Sequence, residues 1–146
     1  MIANVVFFFI NSILNRIPSR RVRMAFYFLL SKGKISFSST IGLHVRILNI
    51  TKLWIGQNSN INFSCTLDGR GNGLKIGNNV DIAQESNIWT LEHNPQSPMH
   101  TCRSSQVVIE DNVWLANRCI VLPGTVLGKG CIVGAGTVVK VTFEQV

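Results

Sequence analysis

The sequence predicts a parallel β-helix, a solenoid of short strands, and three observations carry that expectation. From Ile109 onward an aliphatic residue returns at every sixth position: Ile109, Leu115, Val121, Leu127, Val133 and Val139. Four residues after each of the first five stands a compact side chain, at Val113, Cys119, Thr125, Cys131 and Thr137. The same period runs backward, with slips of phase, through Ile76, Ile82 and Ile88 and through Ile55, Ile61 and Leu67. A helix of 3.6 residues per turn would rotate successive sixth residues away from any one face. Short strands that turn a corner after about six residues keep them all inward, as in solenoids built from hexapeptide repeats.

Taken in order, residues 1–34 read as a helical segment and residues 35–146 as the solenoid. The first segment has an apolar stretch from Val5 to Ile10, a break at Pro18 and a second apolar run from Ala25 to Leu30, so two short helices are expected. The first stretch is far shorter than the roughly 20 residues of a membrane-crossing helix. It also lacks the order of a secretory signal, since its positive charges follow the apolar run; a cytoplasmic protein is expected. Ile41 and Ile47 begin a weaker first coil, and Ser59, Cys65, Val80 and Ser86 fill the small inward positions of the next two. Of four cysteines, Cys65, Cys119 and Cys131 fall at such positions and Cys102 does not. No C-x-x-C spacing occurs, so reduced thiols are expected rather than disulfides or zinc.

Composition fits one apolar domain, with 46% hydrophobic residues in 146. An excess of 14 basic over 7 acidic residues gives +7, which favours an anionic partner: a phosphorylated cofactor, a nucleic acid or a membrane surface. Arg16, Arg20, Arg21, Arg23, Lys32 and Lys34 concentrate that charge near the N-terminus. The helices carrying them have two readings. They cap the first coil, which otherwise presents unpaired strand edges, or they lie in the membrane interface with arginines toward anionic lipid.

Chemistry is expected where the period breaks. Ile88 and Ile109 are 21 residues apart, not a multiple of six, so a loop must leave the prism and return. Its sequence, LEHNPQSPMHTCRSS, is polar and contains His93 and His100. Loops mounted on rigid scaffolds commonly carry catalytic groups, and an imidazole titrating near neutrality can take a proton from a hydroxyl and return it. A solvated loop histidine is the plain alternative.

The segments IGNNVDIAQESNIWTLEHN and VVIEDNVWLANRCIVLPGTVLGKGCIVGAGTVV resemble the hexapeptide-repeat O-acetyltransferases of the maltose, galactoside and capsule-biosynthesis type. That resemblance covers residues 35 to 140. It implies a left-handed parallel β-helix, a homotrimer, and acetyl-CoA held in a groove between two subunits, with no metal and no nucleic acid. It implies His93 as the catalytic base and Asn62 as a residue near the sugar or glycan acceptor, where a structural turn asparagine is the alternative. It implies Trp114 in the acetyl-CoA groove and Gly134, Ala135, Gly136 and Thr137 along the pantetheine arm; Lys129 and Lys140 are candidate phosphate contacts because a lysine presents a compact charge to flexible phosphates. The glycines could equally serve corners, the lysines could be merely solvated, and Trp89 could serve a subunit interface.

Members of that family usually continue beyond this chain's VVKVTFEQV, so a shortened end is expected to leave the last coil uncovered and part of the CoA groove missing. Three functions compete: O-acetyl transfer to a sugar hydroxyl in surface polysaccharide synthesis, an inactive scaffold of the same shape, and a γ-carbonic-anhydrase-like zinc enzyme using His44, His93 and His100. The seven-residue gap between the last two histidines does not match that zinc family.

Overall fold

A computed structural model describes residues 2–140; the end VTFEQV, read above as a shortened terminus, lies outside the described residues. Helix α1 (Ile2–Phe8) runs into one π-helical turn (Phe9–Ile13) and a 3-10 turn (Leu14–Arg16). Pro18 then ends the helical path, and Ser19, whose hydroxyl accepts the Val22 N–H, caps α2 (Arg20–Leu30). The described residues after Lys34 are solenoid and loop, with one 3-10 turn at Ile50–Lys52.

Five coils stack into a three-faced prism of parallel strands. The first face holds Leu53–Ile55, Leu74–Ile76, Val107–Ile109 and Val126–Leu127, with Ile35 joining through a single bridge to Ile55. The second holds Thr40–Ile41, Asn60–Ile61, Asp81–Ile82, Trp114–Leu115 and Ile132–Val133. The third holds Arg46–Leu48, Thr66–Asp68, Asn87–Ile88, Ile120–Val121 and Val138–Val139. The registers align the repeat: Ile41, Ile61, Ile82, Leu115 and Val133 form one column, and Ile47, Leu67, Ile88, Val121 and Val139 a second. Ile55, Ile76, Ile109 and Leu127 form the third. All are buried, each stabilising the fold by roughly 1.5–3 kcal/mol.

Within each coil, corners between faces place the third residue after an inward aliphatic in the left-handed region: His44, Asn58, Ser64, Asn79, Glu85, Asn112, Arg118, Gly124, Gly130 and Gly136 all have positive φ. Glycine takes this conformation freely and asparagine more readily than most residues. The phase slips all fall on one edge, from the third face to the first. The inward aliphatics there lie eight residues apart from Ile47 to Ile55, nine from Leu67 to Ile76, 21 from Ile88 to Ile109 and six from Val121 to Leu127. The inward small positions are buried at Val113, Cys119 and Thr125, but Cys131 is half-buried and Thr137 exposed, because no further coil stacks on them among the described residues.

At the other end the helical segment lies on the first coil and pairs with its strand edge. The Asn11 side-chain amide donates to the Ile47 carbonyl at 2.9 Å and accepts the Ile47 N–H at 2.9 Å, as a neighbouring strand would. The Asn15 carbonyl accepts the His44 N–H at 2.8 Å. Arg23, 4% exposed, donates to the carbonyls of Ile17, Pro18 and Ile41. Its guanidinium thus ties α2, the Pro18 turn and the first coil together. Arg23→Ala leaves the buried Ile41 carbonyl without this donor, at about 1–3 kcal/mol for a buried group left unsatisfied. The variant is expected to unfold at clearly lower denaturant concentration than wild type; an unchanged midpoint would show that the cap contributes nothing to the solenoid.

Candidate active site

The 21-residue interval emerges as a β-hairpin standing on the irregular edge. Leu91–His93 pairs antiparallel with Cys102–Ser104, placing His93 opposite Cys102 and Glu92 opposite Arg103. The hairpin tip closes through Asn94 N–H to Thr101 O at 2.8 Å and His100 N–H to Ser97 O at 2.9 Å. This turn aims the His100 carbonyl at the His93 ring, 2.7 Å from Nδ1. A carbonyl only accepts, so Nδ1 carries a proton, and in the neutral ring the free lone pair is on Nε2. His93 is exposed, so that lone pair belongs to a ring reachable by a substrate hydroxyl.

Beside it, Glu92 accepts from Arg103 Nε at 2.8 Å and Nη2 at 2.6 Å, while Lys140 Nζ of the last described coil lies 3.5 Å away. Partial burial alone would raise the Glu92 carboxyl, but hydrogen bonding from Arg103 and the charges of Lys140 and Arg103 outweigh it and hold the group below its ordinary value. These contacts therefore persist through neutral pH and are lost only as pH falls through that lowered value.

A cleft beside the hairpin is lined by Arg70, Trp89, Leu91, Glu92, His93, Cys102, Leu122 and Pro123. Arg70 is held there by Asp68, whose fully buried carboxylate accepts from the Arg70 backbone N–H at 2.9 Å, from its Nε at 3.0 Å and from Thr90 N–H at 3.2 Å. The chain passes this corner tightly. A Cβ at Gly69 would run into the Asn49 carbonyl and one at Gly71 into the Thr90 carbonyl, while Gly73 takes φ +93, which together explain the glycines of DGRGNG. Sequence reasoning missed Asp68, Arg70, Glu92, Cys102 and Arg103; the visible signal was that DGR sits at the same slipped corner as the loop, one coil earlier.

The other expected site residues lie elsewhere on the prism. Asn62 and Trp114 share a second cleft on the second face, with Asn60, Asp81, Ile82 and Ala83. Trp114 points outward, 50% exposed, and Asn62 Oδ1 accepts the Phe63 N–H at 2.8 Å. His93 and Asn62 are thus not brought together within one chain. Gly134 and Thr137 line a third cleft at the last described coil, with Lys129 and Ile132. Gly136 meets the corner requirement, with φ +72. Gly134 does not, since its φ is not positive, and an added Cβ there would touch only Thr137 Oγ1 at 3.8 Å. Ala135 is exposed beside them. Lys140 stands at Glu92 rather than at that cleft. His44 sits at a corner of the first coil while His93 and His100 share the hairpin, and among the described residues no three His, Cys, Asp or Glu side chains converge on a metal position.

The repeat at residues 106–140 matches the family of bacterial transferase hexapeptides (six repeats). Over 124 residues the chain is 30% identical to an Escherichia coli K12 protein named for O-acetyl transfer in lipopolysaccharide biosynthesis, covering 75% of this chain and 62% of that one. Over 82 residues it is 40% identical to a galactoside O-acetyltransferase of Lactococcus lactis, covering 53% and 39%. Its fold matches that of a hexapeptide-repeat acetyltransferase of Vibrio cholerae solved with acetyl coenzyme A, with TM-score 0.80, 21% identity, and 94% and 74% of the two chains covered. The repeat at residues 106–140 is thus of the bacterial transferase hexapeptide type, and the chain is similar to these acetyltransferases in sequence and fold while spanning less than two thirds of either of those curated relatives.

Two expectations test this geometry. Cys102 is exposed on the hairpin, 3.9 Å from His93 Nδ1, whereas desolvation pushes the Cys65 thiol up to about 11, against two weaker backbone hydrogen bonds, and also raises Cys119. Iodoacetamide at neutral pH should label Cys102 first and leave Cys65 and Cys119 unmodified until unfolding, as read by peptide mass mapping. Arg103→Ala should change global stability by under about 1 kcal/mol, the scale of an exposed ion pair, yet speed proteolysis between Leu91 and Ser104. Unchanged cleavage would mean that the ion pair does not hold the hairpin.

Proposed function

We propose that this chain transfers the acetyl group of acetyl-CoA to a hydroxyl of a sugar or glycan, with His93 as general base. The observation that carries the reading is the His93–His100 carbonyl hydrogen bond at 2.7 Å, which orients the ring and leaves Nε2 as the proton acceptor on an accessible hairpin. The acceptor hydroxyl gives its proton to Nε2 as its oxygen attacks the thioester carbonyl. The C–S bond then breaks, and the proton passes from His93 to the departing sulfur, giving the acetyl ester and free CoA thiol. A thioester is already activated, so positioning and proton removal supply much of the barrier reduction. The relatives named for O-acetyl transfer and the fold partner solved with acetyl coenzyme A support this donor and reaction. The E. coli relative's name supports a surface polysaccharide as the acceptor class, and a need for acetyl-CoA supports a cytoplasmic reaction.

In this reading Asn62 and Trp114 act from a neighbouring copy. Three prisms packed side by side would set the second-face cleft of one subunit against the hairpin of the next. Asn62 would orient the acceptor and Trp114 would line the donor groove, with Gly134, Ala135, Gly136 and Thr137 beside the pantetheine arm. Lys140 would meet a phosphate only by exchanging its contact with Glu92.

Acetyl-CoA binding by calorimetry and thiol release with a panel of sugars test the reading. His93→Ala should bind acetyl-CoA as wild type does and lose roughly 10²–10⁴-fold in turnover, the usual worth of a general base. Mixing inactive His93→Ala with inactive Asn62→Ala subunits should restore activity if the site is shared. No donor binding by wild type would defeat the reading in favour of a scaffold.

A further inference from the structure

The cap that covers the first coil has a second, outward side, and its composition is unlike the rest of the surface. Eight of the 14 basic residues and none of the seven acidic ones precede Asp68. Residues 1–67 therefore carry +8, and the six basic and seven acidic residues after them carry −1, which together give the chain's +7. The net positive charge of this protein is carried by its first 67 residues.

On α2, Arg23, Met24 and Tyr27 face the solenoid and are buried. The opposite side repeats apolar residues at Val22, Ala25, Phe26 and Leu29, the spacing of one helical stripe, and this stripe faces solvent, with Leu29 70% exposed. Phe26 packs edge-on against Phe9, ring centroids 5.6 Å apart, which joins the stripe to the π-helical turn and, through it, to α1. There Val5 and Phe8, three residues apart, are 62% and 60% exposed. Arg16, Arg21 and Lys32 are exposed around this surface and make no side-chain hydrogen bond or ion pair among the described residues. Contiguous exposed apolar surface rimmed by unpaired positive charge marks an interaction site.

We propose that this face docks on an anionic lipid bilayer, with the apolar side chains of α1 and α2 entering the headgroup boundary and Arg16, Arg21 and Lys32 meeting lipid phosphates. No helix among the described residues is long and apolar enough to cross a membrane, so the segment lies in the interface and does not span it. Charge selects this occupant. A second copy meeting the same face would set two strongly positive surfaces against each other. Nucleic-acid interfaces are polar and would leave Val5, Phe8 and Leu29 unmatched. The proposal is independent of acetyl transfer, because the face belongs to the opposite end of the stack from the hairpin's ion pair with Lys140.

Co-sedimentation with vesicles tests it, using phosphatidylcholine alone and phosphatidylcholine mixed with phosphatidylglycerol, at low and high salt. Wild type should partition to the anionic vesicles, less so as salt rises. Arg16→Gln with Arg21→Gln should weaken partition about fivefold per charge, roughly 25-fold together. Phe8→Ser with Leu29→Ser should reduce it at every salt concentration. All four side chains are exposed, so thermal melting should match wild type and exclude misfolding. Equal partition to both vesicle types, no partition to either, or indifference to the arginine changes would overturn the proposal. So would concentration-dependent association in light scattering that Leu29→Ser abolishes without any vesicle binding, which would make the face a contact between copies.

Discussion

Everything in this protein depends on keeping three columns of aliphatic side chains in register from coil to coil. Parallel strands hydrogen-bond to the coils above and below at a spacing of about 4.8 Å, so a column stays filled only if each coil returns an aliphatic residue to the same place. Six residues satisfy this by giving two or three to a strand and the rest to a corner whose third residue takes positive φ. One residue more or less within a coil's run of three faces would turn the next aliphatic outward. The constraint explains why insertions collect on a single edge, where the third face passes to the first. The edge absorbs eight, nine and 21 residues in successive coils without disturbing the columns beside it.

The candidate site is built from that tolerance. The longest insertion becomes a hairpin rooted at both ends in rigid strands, at Ile88 and Val107. Its own turn directs the His100 carbonyl to His93, so the ring's orientation comes from backbone geometry and not from a second carboxylate. Glu92 bonds the hairpin's other strand through Arg103 and touches the last described coil through Lys140. The shorter insertion one coil earlier delivers Arg70 to the same cleft, locked by a fully buried Asp68. Two irregularities on one edge thus meet across neighbouring coils.

A solenoid has two ends, and an uncovered end exposes strand edges. Here the N-terminal segment supplies the partners, with Asn11 imitating a strand and Arg23 collecting carbonyls. The same short helices must present some outer surface, and this chain makes it apolar and positive. Cap and docking face are two sides of one element, which lets a small protein place a charged surface without interrupting its columns.

The prism was legible in the sequence because its period of six is strictly local: Ile109 to Val139 shows it without any knowledge of neighbours. The loop was legible as a failure of that period, and His93 as a titratable group upon it. What stayed hidden depends on residues far apart in sequence. No pattern announces that Glu92 will meet Lys140, 48 residues later, or that Asp68 will hold the backbone at Thr90. Nor does any pattern say whether a glycine is needed for φ, as Gly136 is, or stands where a side chain would fit, as at Gly134. The sequence by itself determined the repeat, and hence the columns, because inward-facing identity is set residue by residue. Only the tertiary structure decided which faces carry Asn62 and His93, because separation around a closed prism depends on how many residues each corner consumes. That placement set the two residues on different sides of one chain.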